Sequence, residues 1–150
     1  MTVSPAARRK ARHYAMQSLY QWQMTSAALN VIEAEFHSDN DMSKVDTAYY
    51  RELLHKVPQR LSELEEAFGQ YLQEREQNEL DPITQALLRL ATYELMFRID
   101  VPYKVVINEA VALAKKFGAT DSHKFINGVL DKVAADHRAI EVQAERGSRS

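Results

Sequence analysis

The sequence predicts an all-α protein of about seven helices. Three observations lead there. Apolar residues recur at spacings of three and four along nearly all of the 150 residues. Glycine and proline number four each, too few to turn a strand-rich chain. No segment has the alternation of a half-buried strand. With 45% hydrophobic residues, a chain of this length has the material for one buried core, expected over 1–140.

The first helix begins near Pro5, since proline suits the first helical position. On a helical wheel Ala7, Ala11, Ala15, Ser18, Leu19 and Trp22 form its core face, with Arg8 and Arg12 at the edge. Arg9, Met16 and Tyr20 fall on the opposite side, where a neighbouring helix or a partner must cover the apolar pair. A short second helix covers AALNVIEAEFH. Asp46 then caps a long helix that Pro58 kinks or breaks, because proline removes a backbone donor, and Gly69 is a second weak point. EREQNEL is a polar loop or short helix. Asp81-Pro82 starts a helix that is apolar on almost every side and therefore central. Pro102 holds DVPYK extended ahead of a helix from about Val105 to Phe117, which Gly118 stops. Asp121 or Ser122 caps the last helix, where Gly128 costs up to about 1 kcal/mol relative to Ala and implies close approach of another helix. The tail from 141 to 150 lacks an apolar stripe and is expected to be disordered.

Charge is unevenly placed. The chain has 19 basic and 21 acidic residues, yet Arg8, Arg9, Lys10 and Arg12 crowd into the first helix and no acidic residue precedes Glu33. Cations near a helix N-terminus oppose its dipole by about 0.3–1 kcal/mol and repel one another. Folding alone does not explain the cluster, whereas an anionic partner does. An inert charged helix start and a transit peptide are the alternatives, the latter disfavoured because the segment runs directly into a core-like stretch. A second candidate lies in KKFGATDSHKFINGV, where a helix C-terminus turns directly into a helix N-terminus. Free N–H groups, His123 and Lys124 suit a phosphate there, and the adjacent Phe125 suits a stacked base. The wheel leaves Phe125 between a stacking ring and a core side chain.

Other chemistries find little support. There is no cysteine, which excludes disulfides and thiolate sites and fits a reducing compartment. The five histidines are scattered, without metal-ligand spacing, so neither a metal nor a cofactor is expected. No Gly-rich phosphate loop or serine nucleophile elbow occurs, and Glu63, Glu65 and Glu66 read as a solvated face, so no catalytic residue is expected. No apolar run approaches membrane-spanning length, and no secretory signal is expected.

The stretches PAARRKARHYAMQSLYQWQ, LLRLATYEL and DVPYKVVINEAVALAKKFGATDSHKFINGVLDKV together resemble the NusB family of bacterial transcription antitermination factors. The likeness runs over nearly the whole chain, to about Lys132. It implies seven helices in two bundles, no enzymatic activity and a cytoplasmic place in the RNA polymerase antitermination complex. It also implies binding of single-stranded boxA RNA in ribosomal RNA leader transcripts, together with NusE, a protein of the small ribosomal subunit. By position, Arg8, Arg9, Lys10 and Arg12 match the family's Arg-rich RNA-binding start, and Asp121 and Phe125 match RNA-contact positions, with Lys124 beside them. Tyr20 matches a NusE-interface position, Thr84 stands where relatives carry a supporting Glu, and Arg89 joins this partner-binding set. Pro58 and an extra residue near NELDP depart from the family pattern. Two other readings are an RNA-recruiting domain of an rRNA methyltransferase, which needs a second domain, and a helical protein-binding adaptor. Steep salt dependence of RNA binding separates the NusB reading from the adaptor.

Overall fold

A computed structural model describes residues 4–73, 75–76 and 79–147. The described residues form eight helices and no strand. The chain divides into two compact units, residues 1–61 and 62–150. The first holds α1 (Pro5–Thr25), α2 (Leu29–Asp39) and α3 (Thr47–Gln59). From the boundary onward come α4 (Leu61–Gly69), α5 (Pro82–Phe97), α6 (Tyr103–Phe117), α7 (Ser122–His137) and α8 (Ala139–Gly147).

Local sequence signals set the helix ends. Ser4 Oγ accepts the Ala7 N–H at 3.1 Å just ahead of Pro5. Asp46 accepts the Tyr49 N–H at 3.1 Å and opens α3. Asp81 accepts both the N–H and the hydroxyl of Thr84, at 2.9 and 2.7 Å, ahead of Pro82. Pro58 has no N–H to donate, and α3 stops at Gln59 before α4 begins at Leu61. Gly69 ends α4.

In the first unit α1 packs on α3, and α2 packs against both. Two helices against α1 widen its covered arc beyond the single face read from the wheel. Met16, expected opposite the core with Tyr20, is fully buried, while Tyr20 is 37% exposed. Ser18 and Tyr50 share a buried hydrogen bond of 2.8 Å between α1 and α3. Burial pushes the Tyr50 phenol up, against the opposing pull of that bond. Of α2 only Ile32 is buried. Glu33 secures this helix to α3, accepting from His55 Nε2 at 2.8 Å with Arg51 at 3.6 Å.

In the second unit α5 packs against α6 and α7, and ten of its residues are buried, as an all-round apolar helix requires. Its C-terminal end meets the guanidinium of Arg138, which is 5% exposed. Nε donates to the Leu95 carbonyl at 2.8 Å. One terminal nitrogen donates to the Val101 carbonyl and Glu141 carboxylate, the other to the carbonyls of Glu94 and Arg98. All five N–H groups of the side chain are thus engaged.

Gly118 ends α6 as expected, at φ −88°, and glycine is needed there because a Cβ would lie 2.5 Å from Ser122 Oγ and 2.7 Å from the Ala114 carbonyl oxygen. Two expectations are corrected here. Gly128 admits no neighbouring helix, since nothing lies within 4 Å of where its Cβ would be. The tail expected to be disordered from 141 forms most of α8. That helix has little apolar surface, with Val142 its one buried residue, and is tethered by polar contacts. Glu141 accepts from Arg138 and from the Tyr103 N–H at 2.8 Å, and Glu145 pairs with Lys104. The expectations for Glu74, Gln77, Asn78 and 148–150 lie outside the described residues.

Arg138→Met retains the bulk of the stem but leaves four carbonyls without this donor. It should destabilise the second unit by about 3–5 kcal/mol, the range for removing one partner of a buried charged network. A lower denaturant midpoint at unchanged slope checks this; a parent-like midpoint contradicts the capping role.

Candidate nucleic-acid interface

The four cations of α1 do not act as one group. Arg8 reaches α3: its Nε lies 3.6 Å from Asp46, and its guanidinium stands 4.4 Å from the Tyr49 ring centroid. Arg12 is 3% exposed, 5.6 Å from the same ring. The Asp46 N–H also donates to the Ala7 carbonyl at 3.1 Å, which ties the start of α1 to the start of α3. Arg9 and Lys10 are exposed, and no acidic residue stands in the first turn. The cations expected together at the helix start therefore divide into an inward pair stacked on Tyr49 and an outward pair able to meet an anion.

In the second unit the turn between α6 and α7 gathers Asp121, Lys124 and Phe125. Asp121 holds the N-cap position of α7 at φ 67°, a left-handed conformation uncommon for a residue with a side chain. Its carboxylate makes no capping bond, contrary to expectation, and faces Lys124 Nζ at 3.5 Å. Ser122 does not cap either: it lies inside α7, and its buried hydroxyl has no hydrogen-bond partner among the described residues. Lys124 is exposed, and Phe125 is half-buried. The Arg75 guanidinium stands 4.7 Å from the Phe125 ring centroid. Arg75, Asp121 and Phe125 line a pocket of about 330 Å³. A ring flanked by cations at a turn of this kind can stack a base while the cations meet phosphate.

The residues assigned to a protein partner have diverse settings. Tyr20 is the exposed one, and Met24 on the next turn of α1 is 57% exposed. Thr84 is buried, with its hydroxyl engaged by Asp81. Arg89 has a side chain 12% exposed and pairs with Glu65 at 2.7 Å, linking α5 to α4. Sequence reasoning missed Arg75 and Tyr49. Each meets its partner from a segment distant in the chain, and no local spacing announces such a contact. Among the described residues no group of three or more His, Asp or Glu could hold a metal ion, and no helix is long and apolar enough to cross a membrane.

Comparison with known proteins follows the same residues. The profile described as the NusB family matches residues 9–135. The transcription antitermination protein NusB of Teredinibacter turnerae is 64% identical over 146 residues, covering 97% of this chain and 99% of its own. Its counterpart in Saccharophagus degradans is 63% identical over 150 residues, with both chains fully covered. Among solved structures, T. maritima NusB has a TM-score of 0.77 at 31% identity, covering 91% of this chain and 94% of that one. A complex of antitermination factors NusB and NusE with double-stranded RNA contains a chain of TM-score 0.74 at 22% identity, covering 87% of this chain and 97% of its own, a likeness of fold.

The division of the cations is open to measurement. Replacing Arg8 and Arg12 together by Ala should cost about 1–3 kcal/mol in chemical denaturation, through loss of two cation–ring contacts. Replacing Arg9 and Lys10 together should leave stability unchanged or slightly raised, since they oppose the helix dipole. Equal effects of the two double variants would contradict the inward and outward assignment.

Proposed function

The chain belongs to the NusB family, and from that premise we propose that it is a transcription antitermination factor that binds boxA-type single-stranded RNA together with NusE. The family is not an enzymatic one. The RNA is the leader of a ribosomal transcript, and the setting is the RNA polymerase antitermination complex in the cytoplasm. The observation that carries the reading is the half-buried Phe125 beside the exposed Lys124 at the turn into α7. A purely structural ring would have no need of exposed cations at its edge. The outward pair Arg9 and Lys10 supports the same reading on α1, since a polyanion compensates cations that the helix dipole disfavours. For the protein partner, Tyr20 offers the contact ring on the first unit. In the second unit, Thr84 and Arg89 act through the α5 cap and the α4–α5 link.

RNA titrations at two ionic strengths test the first partner. Phe125→Ala should cost about 1–3 kcal/mol of RNA binding at either salt concentration, since stacking releases no counterions. Lys124→Ala should weaken binding chiefly at low salt, and the Arg9 and Lys10 double variant should flatten the slope of log K against log salt by about 1.4. Unchanged slopes in both cation variants contradict phosphate contact.

Tyr20→Asp should weaken association with purified NusE while circular dichroism keeps its helical signal, because the ring is exposed on α1. A parent-like NusE affinity, or a collapsed helical signal, removes Tyr20 from the interface.

A further inference from the structure

Gly128 lies in the interior of α7, where glycine weakens a helix. The fold gives no reason for it. No described glycine has a positive φ, and nothing occupies the 4 Å around the Cβ position at 128. The space it leaves open has a definite chemistry. Gly128 lies on a notch of about 120 Å³ bordered by Tyr71, Lys124, Phe125 and Lys132. Lys124, Gly128 and Lys132 follow one another at spacings of four, in one row along the helix, and both lysines are exposed. Lys132 Nζ stands 5.8 Å from the centroid of the Tyr71 ring. The Tyr71 hydroxyl is hydrogen-bonded to Asp136, which raises its phenol and keeps the ring neutral. Phe125 also borders the pocket that Arg75 lines, but Arg75 does not line this notch, so the ring is approachable here without displacing that guanidinium.

We propose that the notch over Gly128 is a nucleotide subsite, in which one nucleotide of single-stranded RNA lies against the bare backbone of α7. Lys124 and Lys132 take its flanking phosphates, and its base rests on the Phe125 ring. The inference builds on the RNA-binding reading above and adds two residues to it, Gly128 and Lys132. Any side chain at 128 would project into the space that the nucleotide needs, and that accounts for a glycine where helix stability favours alanine.

The test uses the full chain and a fluorescently labelled single-stranded boxA RNA, read by anisotropy, with thermal unfolding alongside. Gly128→Ala should raise Tm by about 2–4 °C and yet weaken RNA binding. Gly128→Leu, which has open space to enter, should retain the helical signal and weaken binding about tenfold or more, comparable to losing one stacked base. Lys132→Ala should lower the slope of log K against log salt by about 0.7. A folded Gly128→Leu protein that binds RNA as the parent does overturns the subsite, and if Phe125→Ala still loses binding, the RNA-binding reading survives without it. If Gly128→Leu lowers the helical signal, Gly128→Ala and Lys132→Ala decide instead, and parent-like binding and slope in both overturn the subsite. Absence of salt-dependent binding by the parent overturns the broader reading and the subsite with it.

Discussion

One guanidinium organises the second unit. A helix C-terminus leaves carbonyls without intrahelical donors, and when that end is buried no solvent is there to satisfy them. At the end of α5 this task falls to Arg138, whose five donors meet three carbonyls of the final turn and cap, one carbonyl of the following bend, and the Glu141 carboxylate. The cation also suits the negative end of the helix dipole. Because the acceptors come from α5, from the bend before α6 and from the start of α8, the interaction fixes the direction in which each of these segments departs. Lysine could not replace it, having three donors on one atom in place of a planar fork.

Electrostatics in the first unit are arranged differently. Asp46 caps α3 through one carboxylate oxygen and meets Arg8 through the other, so a single side chain starts one helix and anchors another. Tyr49, the residue whose N–H it accepts, offers its ring to Arg8 and Arg12. Two of four crowded cations are thereby relieved of mutual repulsion by contacts inside the unit. Arg9 and Lys10, on the same helix, are exposed. The α6–α7 turn has a comparable division: Asp121 holds a left-handed backbone without capping, and Arg75 covers part of the Phe125 ring.

Most of the helices were legible because their signals are local. Pro5, Asp46 and Asp81-Pro82 each declare a start locally, and Pro58 declares a kink or break for reasons of covalent structure alone. The wheel left open whether a helix or a partner covers Met16, because it shows one face at a time, whereas α1 meets two helices and Met16 is buried. The tail escaped notice because α8 depends on carboxylates placed opposite Lys104, Tyr103 and Arg138, and periodicity does not report such pairings. Of the candidate site, the residue types and their turn could be read directly. The division of the α1 cations, and the cation over Phe125, depend on which distant segments meet, a property of tertiary structure alone.

The reach of Arg138 has a consequence for synthesis of the chain. Its guanidinium bonds carbonyls 37 to 44 positions earlier. At ordinary elongation rates, roughly 2–9 s pass between the making of α5 and the arrival of its terminal donor. During that interval the last turn of α5 has only the backbone N–H groups of Arg98 and Val101, which reach the Glu94 and Arg98 carbonyls, and neither α8 nor the carboxylate of Glu141 yet exists. The first unit, whose contacts join helices made earlier, can close in the meantime. The ribosome thus delivers the two halves of this protein with different waiting times, and the later half completes its network only when its closing residue emerges.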